Sequence, residues 1–78
     1  MTQLPLLNAK QLSNTLTALG FSLVRQHGIH LFFRHPDGRT TVVPNHPGEK
    51  IDRGLLNKIV KKDVGINREE FLEQLNVK

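Results

Sequence analysis

This sequence of 78 residues lacks features that stabilise or anchor many other small proteins. It has no cysteine, so neither a disulfide nor a zinc site built on thiolates can help to hold the fold. No stretch approaches the roughly 20 apolar residues of a membrane-spanning helix, and the first residues lack the apolar run of a signal peptide. We therefore expect a soluble, cytoplasmic protein with no membrane partner, stabilised by its core alone.

The length of the chain predicts a single domain over residues 1–78. A domain of this size buries only about 60% of the surface that its unfolded chain exposes. It has no room for a deep, enclosed substrate cavity. We expect a shallow surface site or a site shared with a partner, and no small-molecule cofactor.

Acidic residues are scarce over most of the chain. Residues 1–62 contain nine basic and three acidic side chains, a net charge of 9 − 3 = +6, whereas residues 63–78 contain two and four, a net charge of −2. A basic body with an acidic tail indicates a polyanionic partner, and nucleic acid is the first candidate. On charge alone, a solvated surface without such a partner remains an open alternative.

Capping signals predict three helices. Asn8 and Gln11 have the spacing of a capping box at the start of the first helix, and Gly20 suits the position just after its end. A second helix is predicted over about residues 52–64, with its lysines outward. INREEFLEQL at residues 66–75 predicts a short third helix.

Three runs rich in β-formers lie between the first and second helices. They are FSLVRQ at residues 21–26, IHLFFRH at 29–35 and TTVVP at 40–44. The order α-β-β-β-α, plus a short C-terminal helix, predicts an α+β fold. Its simplest form is a three-stranded antiparallel sheet with helices on one face.

The stretch RQHGIHLFFRHPDGR, residues 25–39, contains three of the four histidines. If His27 and Gly28 form a two-residue turn, the flanking strands pair as a hairpin and their side chains alternate between the two faces of the sheet. The predicted inward residues are Val24, Ile29, Leu31 and Phe33. The predicted open face carries Phe21, Leu23, Arg25, His30, Phe32 and Arg34. Cations, an imidazole and rings on one face suit an RNA chain, with its phosphates and stackable bases.

The histidines allow three interpretations. A metal site needs His27, His30, His35 and His46 to converge, and no Asp or Glu lies between Arg25 and Arg34 to complete a ligand set, so we expect no metal. Acid/base chemistry needs one well-placed imidazole, because the ordinary pKa of that ring suits proton transfer near neutral pH. His30 is then the candidate, and His46, in the loop after the third strand, is a candidate second proton-transfer group. A polar surface hairpin without chemistry stays open as the third interpretation.

Five short motifs occur in a fixed order along the chain. They are R-Q-x-G-x-H at residues 25–30, P-D-G-R at 36–39, V-P-x-H at 43–46, G-x-L-x-x-I at 54–59 and E-x-F-L at 69–72. Together they resemble the HicA-like, or YcfA-like, family of small toxins from bacterial toxin-antitoxin pairs. The resemblance runs from the first helix to about residue 72.

The resemblance implies a fold like that of double-stranded-RNA-binding domains and an activity as an mRNA interferase. Such an enzyme is an endoribonuclease that cuts messenger RNA and so inhibits translation and growth. It is the toxin of a type II system and is neutralised by a HicB-like antitoxin. The family's catalytic histidine corresponds to His30. The chain departs from the family at Ile29, where serine is common; the predicted inward position of Ile29 suits the fold, but the serine hydroxyl is lost.

We expect Arg25, Gly28 and Arg34 to contact RNA beside His30. The predicted phosphate contacts in the second half of the chain are Lys50, Arg53, Lys58, Lys61 and Lys62. Two other functions remain open. One is a non-catalytic RNA-binding module in which His30 only contacts a phosphate. The other is a protein-interaction domain whose hydrophobic patch comprises Leu23, Phe32 and Val42.

Overall fold

The computed structural model describes residues 4–76, with side chains for residues 4–75. The elements in chain order are α1 (Ala9–Ala18), β1 (Ser22–His27), β2 (His30–Arg34), β3 (Thr40–Pro44), α2 (Arg53–Lys58), a π-helical segment (Ile59–Val64) and α3 (Arg68–Asn76). The strands form one antiparallel sheet in the order β1-β2-β3. The expected α+β fold, like that of double-stranded-RNA-binding domains, is confirmed. The single-domain prediction includes residues 1–3 and 77–78, which lie outside the described residues.

The first helix begins at the predicted capping box. The side chain of Asn8 accepts from the backbone N–H of Gln11 at 2.8 Å, and the side chain of Gln11 accepts from the backbone N–H of Asn8 at 3.0 Å. Gly20, with φ of 101°, follows the helix end as expected. The backbone N–H of Ile51 donates to the carbonyl of Leu7 at 2.6 Å, which fastens the segment before α2 to the start of α1.

The predicted second helix is confirmed in extent, but its second half is π-helical. Asp52 caps α2 by accepting from the backbone N–H groups of the first turn. From Ile59 onward the helix widens, and the N–H of Gly65 donates to the carbonyl of Val60 at 3.0 Å, five residues back. Gly65 then ends the helix with φ of 77°.

The hydrophobic core lies between the helices and one face of the sheet. Alternation along β2 and β3 sends Leu31, Phe33, Thr41 and Val43 to this inner face, where all four are buried. The largest fully buried side chains are Phe21, Phe71, Leu4, Leu12, Leu16, Leu56, Ile59, Val43, Val60 and Val64. Both terminal helices therefore contribute to the same core as the sheet.

The predicted turn at His27 and Gly28 is wrong by one residue. The turn is Gly28-Ile29, and His27 pairs directly with His30. Gly28 has φ of 61°, which fits the first central position of a type II′ turn, where glycine is required. Ile29 takes the second position and is 39% exposed, so its predicted inward placement is wrong.

An irregularity in β1 changes the remaining face assignments. The register shifts between Leu23 and Arg25, which marks a β-bulge at Val24. Val24 is 58% exposed instead of facing the helices. Leu23 pairs with Phe33 rather than Phe32, so it leaves the predicted hydrophobic patch. Phe21 precedes the strand and is buried, which contradicts its predicted place on the open face.

β1 is an edge strand. It pairs with β2 on one side only, and all six of its residues are exposed. Such an edge presents unpaired backbone N–H and C=O groups to a partner. None of the helices within residues 4–76 is long and apolar enough to cross a membrane.

Candidate nucleic-acid interface

The sheet face opposite the helices, here called the open face, carries the side chains that alternate with the inward ones. On β2 these are His30, Phe32 and Arg34, and their partners on β3 are Pro44, Val42 and Thr40. β1 adds Arg25 and His27, which pair with Phe32 and His30. His30 and Arg34 are exposed, as predicted. The prediction that His30, Phe32, Arg25 and Arg34 share a face agrees with this pairing.

The tip of the β1-β2 hairpin positions His30. The type II′ turn fixes the register, and the side-chain Nε2 of Gln26 donates to the carbonyl of Gly28 at 3.2 Å. On the other side of β2, the backbone N–H of Asn45 donates to the carbonyl of Ile29 at 2.7 Å. His30 therefore projects from a backbone that is hydrogen-bonded on both sides, although its imidazole is exposed.

Arg25 stacks on the ring of Phe32. Its guanidinium carbon lies 4.5 Å from the ring centroid, within the range of a cation–π contact. The stack holds a positive charge on the open face and covers one face of the Phe32 ring. A base can stack on the outer side of the guanidinium plane, and a phosphate can bind its edge.

His35 belongs to a separate, structural cluster. It lies at the far end of β2, about 17 Å along the strand from His30. Its ring meets that of Phe21 edge-on at 5.1 Å, and its Nδ1 lies 3.0 Å from Asp37 Oδ1. A Cβ on Gly20 would lie 2.8 Å from its Nε2, so the ring fills the space beside that glycine.

Asp37 and Arg39 complete this cluster. The backbone N–H of Arg39 donates to Asp37 and holds the pKa of that carboxyl below its ordinary value. The Arg39 guanidinium donates to the same carboxylate at 2.8 Å and to the carbonyl of Val64. The β2-β3 turn is thus fastened to the end of the π-helical segment.

His46 lies in the loop after β3 and is exposed. Its backbone carbonyl accepts from the N–H of Glu49 at 3.1 Å, which makes a turn in the loop. The β3 residue opposite His30 is Pro44, two residues before His46. The register therefore puts His46 beyond the strand pairing that fixes His30.

The predicted phosphate contacts belong to the helical layer and the loop before it. Lys50, Lys61 and Lys62 are exposed. Lys58 Nζ lies 3.4 Å from Asp63 Oδ2, and a guanidinium nitrogen of Arg53 donates to the carbonyl of Leu4 at 2.6 Å. These cations therefore belong to a different layer of the fold from the strand residues of the open face.

A metal site needs several ligating side chains close together. Among the described residues, no group of three or more His, Asp or Glu side chains is arranged to hold a metal ion. His30 begins β2 and His35 follows its last residue, whereas His27 and His30 pair directly across the turn. The sequence signal for this pair is Gly28, because a type II′ turn has glycine at its first central position.

Replacing Gly28 with alanine is expected to lower the free energy of unfolding by roughly 1–2 kcal/mol, because an L-residue at φ of 61° is strained. No atom within 4 Å would clash with the added Cβ, so the cost is confined to the backbone. Gly65→Ala is the matched control, with φ of 77° and equally open space. In urea unfolding both variants should lose similar stability. Only Gly28→Ala should also disturb the pairing of β1 with β2, which is measured as faster amide hydrogen exchange in these two strands; equal exchange in the two variants would contradict a role for this turn in fixing the register.

The comparison with known families agrees with the motifs and the fold. Among the curated proteins, none matches this chain. Residues 9–66, which run from the start of α1 to just beyond the π-helical segment, match the family described as the HicA toxin of bacterial toxin-antitoxin pairs. The chain therefore belongs to the HicA toxin family, whose members act as the toxins of such pairs.

Proposed function

We propose that this protein cuts messenger RNA as a metal-independent endoribonuclease, with His30 as the catalytic base, and so inhibits translation and growth. The observation that carries the proposal is the position of His30. Its imidazole is exposed at the end of a hydrogen-bonded hairpin whose two strands contain arginines and no Asp or Glu. Membership of a toxin family supports a harmful activity of this kind.

The proposed reaction uses the nucleophile that RNA itself contains. His30 removes the proton from a ribose 2′-hydroxyl, and the 2′-oxygen attacks the adjacent phosphorus. The bond from phosphorus to the 5′-oxygen then breaks, and that oxygen takes up a proton from a second acidic group or from water and leaves as a hydroxyl. The products are a 2′,3′-cyclic phosphate and a 5′-hydroxyl end. An imidazole suits this step because it is the side chain best able to take up and release a proton near neutral pH.

The arginines of the open face support this reaction electrostatically. Negative charge builds up on the phosphoryl oxygens in the transition state, and a fixed cation nearby stabilises it. Arg25 is held by its stack on Phe32, next to the His27–His30 pair. Arg34 lies about 13 Å from His30 along β2, where it can contact another part of the same RNA strand.

We further propose that a HicB-like antitoxin neutralises this toxin by docking on the β1-β2 hairpin, which carries His30. The exposed edge of β1 and the exposed Val24 and Ile29 support this, because they give a partner both backbone hydrogen bonds and apolar surface. The positive charge of the hairpin predicts acidic side chains on the antitoxin surface that docks there.

A specific observation favours a second function, RNA binding without cleavage. Within residues 4–76 no side chain hydrogen-bonds the imidazole of His30, whereas catalytic histidines are commonly oriented by a carboxylate or a carbonyl. The Arg25–Phe32 stack would serve a binding module equally well. In that case His30 contacts a phosphate and transfers no proton.

Incubation of a defined mRNA with the purified protein in EDTA distinguishes the two functions. The enzyme should cut the RNA and leave 2′,3′-cyclic phosphate and 5′-hydroxyl ends, which mass spectrometry identifies. Ends with a 5′-phosphate would point to attack by water and contradict the proposed chemistry. Binding without any cleavage would favour the module.

Removing Lys61 and Lys62 together should weaken RNA binding and flatten its dependence on salt. Each phosphate contact contributes about −0.7 to the slope of log affinity against log salt for a single strand, so the slope should fall by about 1.4. Lys10→Ala, at an exposed position on α1, is the control. Fluorescence anisotropy at several salt concentrations measures both quantities. An unchanged slope in the double variant would exclude these lysines as phosphate contacts.

A further inference from the structure

Two histidines stand directly opposite each other at the tip of the β1-β2 hairpin. His27 is the last residue of β1, His30 is the first residue of β2, and they are cross-strand partners. Side chains of directly opposite residues project from the same face, with Cβ atoms about 4.5–5.5 Å apart. Both residues are exposed. A single phosphate on the open face can therefore contact both imidazoles.

Cleavage through the 2′-hydroxyl needs two proton transfers. One group takes the proton from the 2′-oxygen as its bond to phosphorus forms. A second group gives a proton to the 5′-oxygen as its bond to phosphorus breaks, so that it leaves as a hydroxyl. The two oxygens lie on opposite sides of the phosphorus, and two neighbouring imidazoles can serve one each. The base ends protonated and the acid ends neutral, so the protons balance without a co-reactant.

We propose that His27 is the second catalytic residue and acts as the general acid that protonates the 5′-oxygen, opposite His30. The proposal rests on the ribonuclease function proposed above and names the partner of His30 in that site. His46, the candidate from the sequence, lies in the loop beyond the last β3 partner of His30. Of the histidines that the structure describes, His27 is the one that pairs directly with His30 in the sheet.

The surroundings suit a pair that works on a phosphate. Arg25 lies on the same face, two residues before His27, and stacks on Phe32. No Asp or Glu occurs on either strand of the hairpin to compete for the imidazoles. Within residues 4–76 neither imidazole takes part in a hydrogen bond or an ion pair of the fold. Both rings are therefore available to the substrate, unlike that of His35, which packs against Phe21.

The test compares two substrates that differ in the leaving atom. The first is an oligoribonucleotide that contains one bond cut by the wild-type protein. The second has sulfur in place of the 5′-oxygen at that bond. A thiolate leaves without being protonated, so the general acid is not needed for the second substrate. The proteins are wild type, His27→Ala, His30→Ala and His46→Ala, each checked for folding by circular dichroism.

His27→Ala should cut the oxygen substrate about 10²–10⁴-fold more slowly than wild type and the sulfur substrate at nearly the wild-type rate. His30→Ala should be slow on both, because the base is still required. A His27→Ala variant that is as fast as wild type on the oxygen substrate, or equally slow on both substrates, overturns the assignment. Selective rescue of His46→Ala overturns it in favour of His46. A wild-type protein that cuts no RNA refutes the ribonuclease function itself, and this inference with it.

Discussion

Replacing His30 with alanine is expected to lower the rate of RNA cleavage by about 10²–10⁴-fold, the usual contribution of a positioned general base. The side chain is exposed and outside the core, so stability should change by no more than about 0.5 kcal/mol. Affinity for a non-cleavable RNA should change little, because Arg25 and the lysines remain. The variant thus separates chemistry from binding.

The control for this variant is Thr40→Ala, an exposed position at the other end of the open face. Cleavage rates are measured in EDTA with saturating enzyme, so that a change in affinity does not appear as a change in rate. Cleavage by the His30 variant at the control's rate would show that another group is the base.

Replacing Phe71 with alanine is expected to lower the free energy of unfolding by about 3–5 kcal/mol. The ring lies on α3 and is 0% exposed, so its removal leaves a cavity in the core as well as losing apolar burial. Phe71 lies beyond residues 9–66, the part that matches the family, so the core of this protein extends past the matched region. The expected loss is a large share of the stability of a domain this small.

Urea unfolding followed by circular dichroism measures this loss. Glu73→Ala is the matched control, because Glu73 is exposed on the same helix and its replacement should change stability by less than about 0.5 kcal/mol. If Phe71→Ala were as mild as the control, α3 would not be part of the cooperative core.

Local chemistry made several elements predictable from the sequence. The capping box of Asn8 and Gln11 depends only on residues three apart, and it forms as predicted. The third helix, predicted from INREEFLEQL, also begins with a side-chain cap: Asn67 accepts from the backbone N–H of Glu70 at 2.8 Å. Strand alternation also depends only on near neighbours in the sequence. It predicts Leu31 and Phe33 in the core, and both are buried there.

The errors arose where one residue of register decides the outcome. The same glycine is compatible with a turn at His27-Gly28 and with a turn at Gly28-Ile29. The first would pair His30 with Arg25, whereas the second, which the structure has, pairs it with His27. The bulge at Val24 and the π-helical form of the segment Ile59–Val64 have no local sequence signal comparable to a capping box or a turn glycine. Because the predicted turn is one residue too early, the sequence prediction does not pair His27 with His30.

The most direct test of the account replaces one 2′-hydroxyl with hydrogen at a bond that the wild-type protein cuts in an otherwise unchanged RNA. We predict that this bond resists cleavage while other bonds in the same molecule are cut at the usual rate, since only the local nucleophile is lost. Equal cleavage of the 2′-deoxy bond would show that water is the nucleophile and would contradict the role assigned to His30.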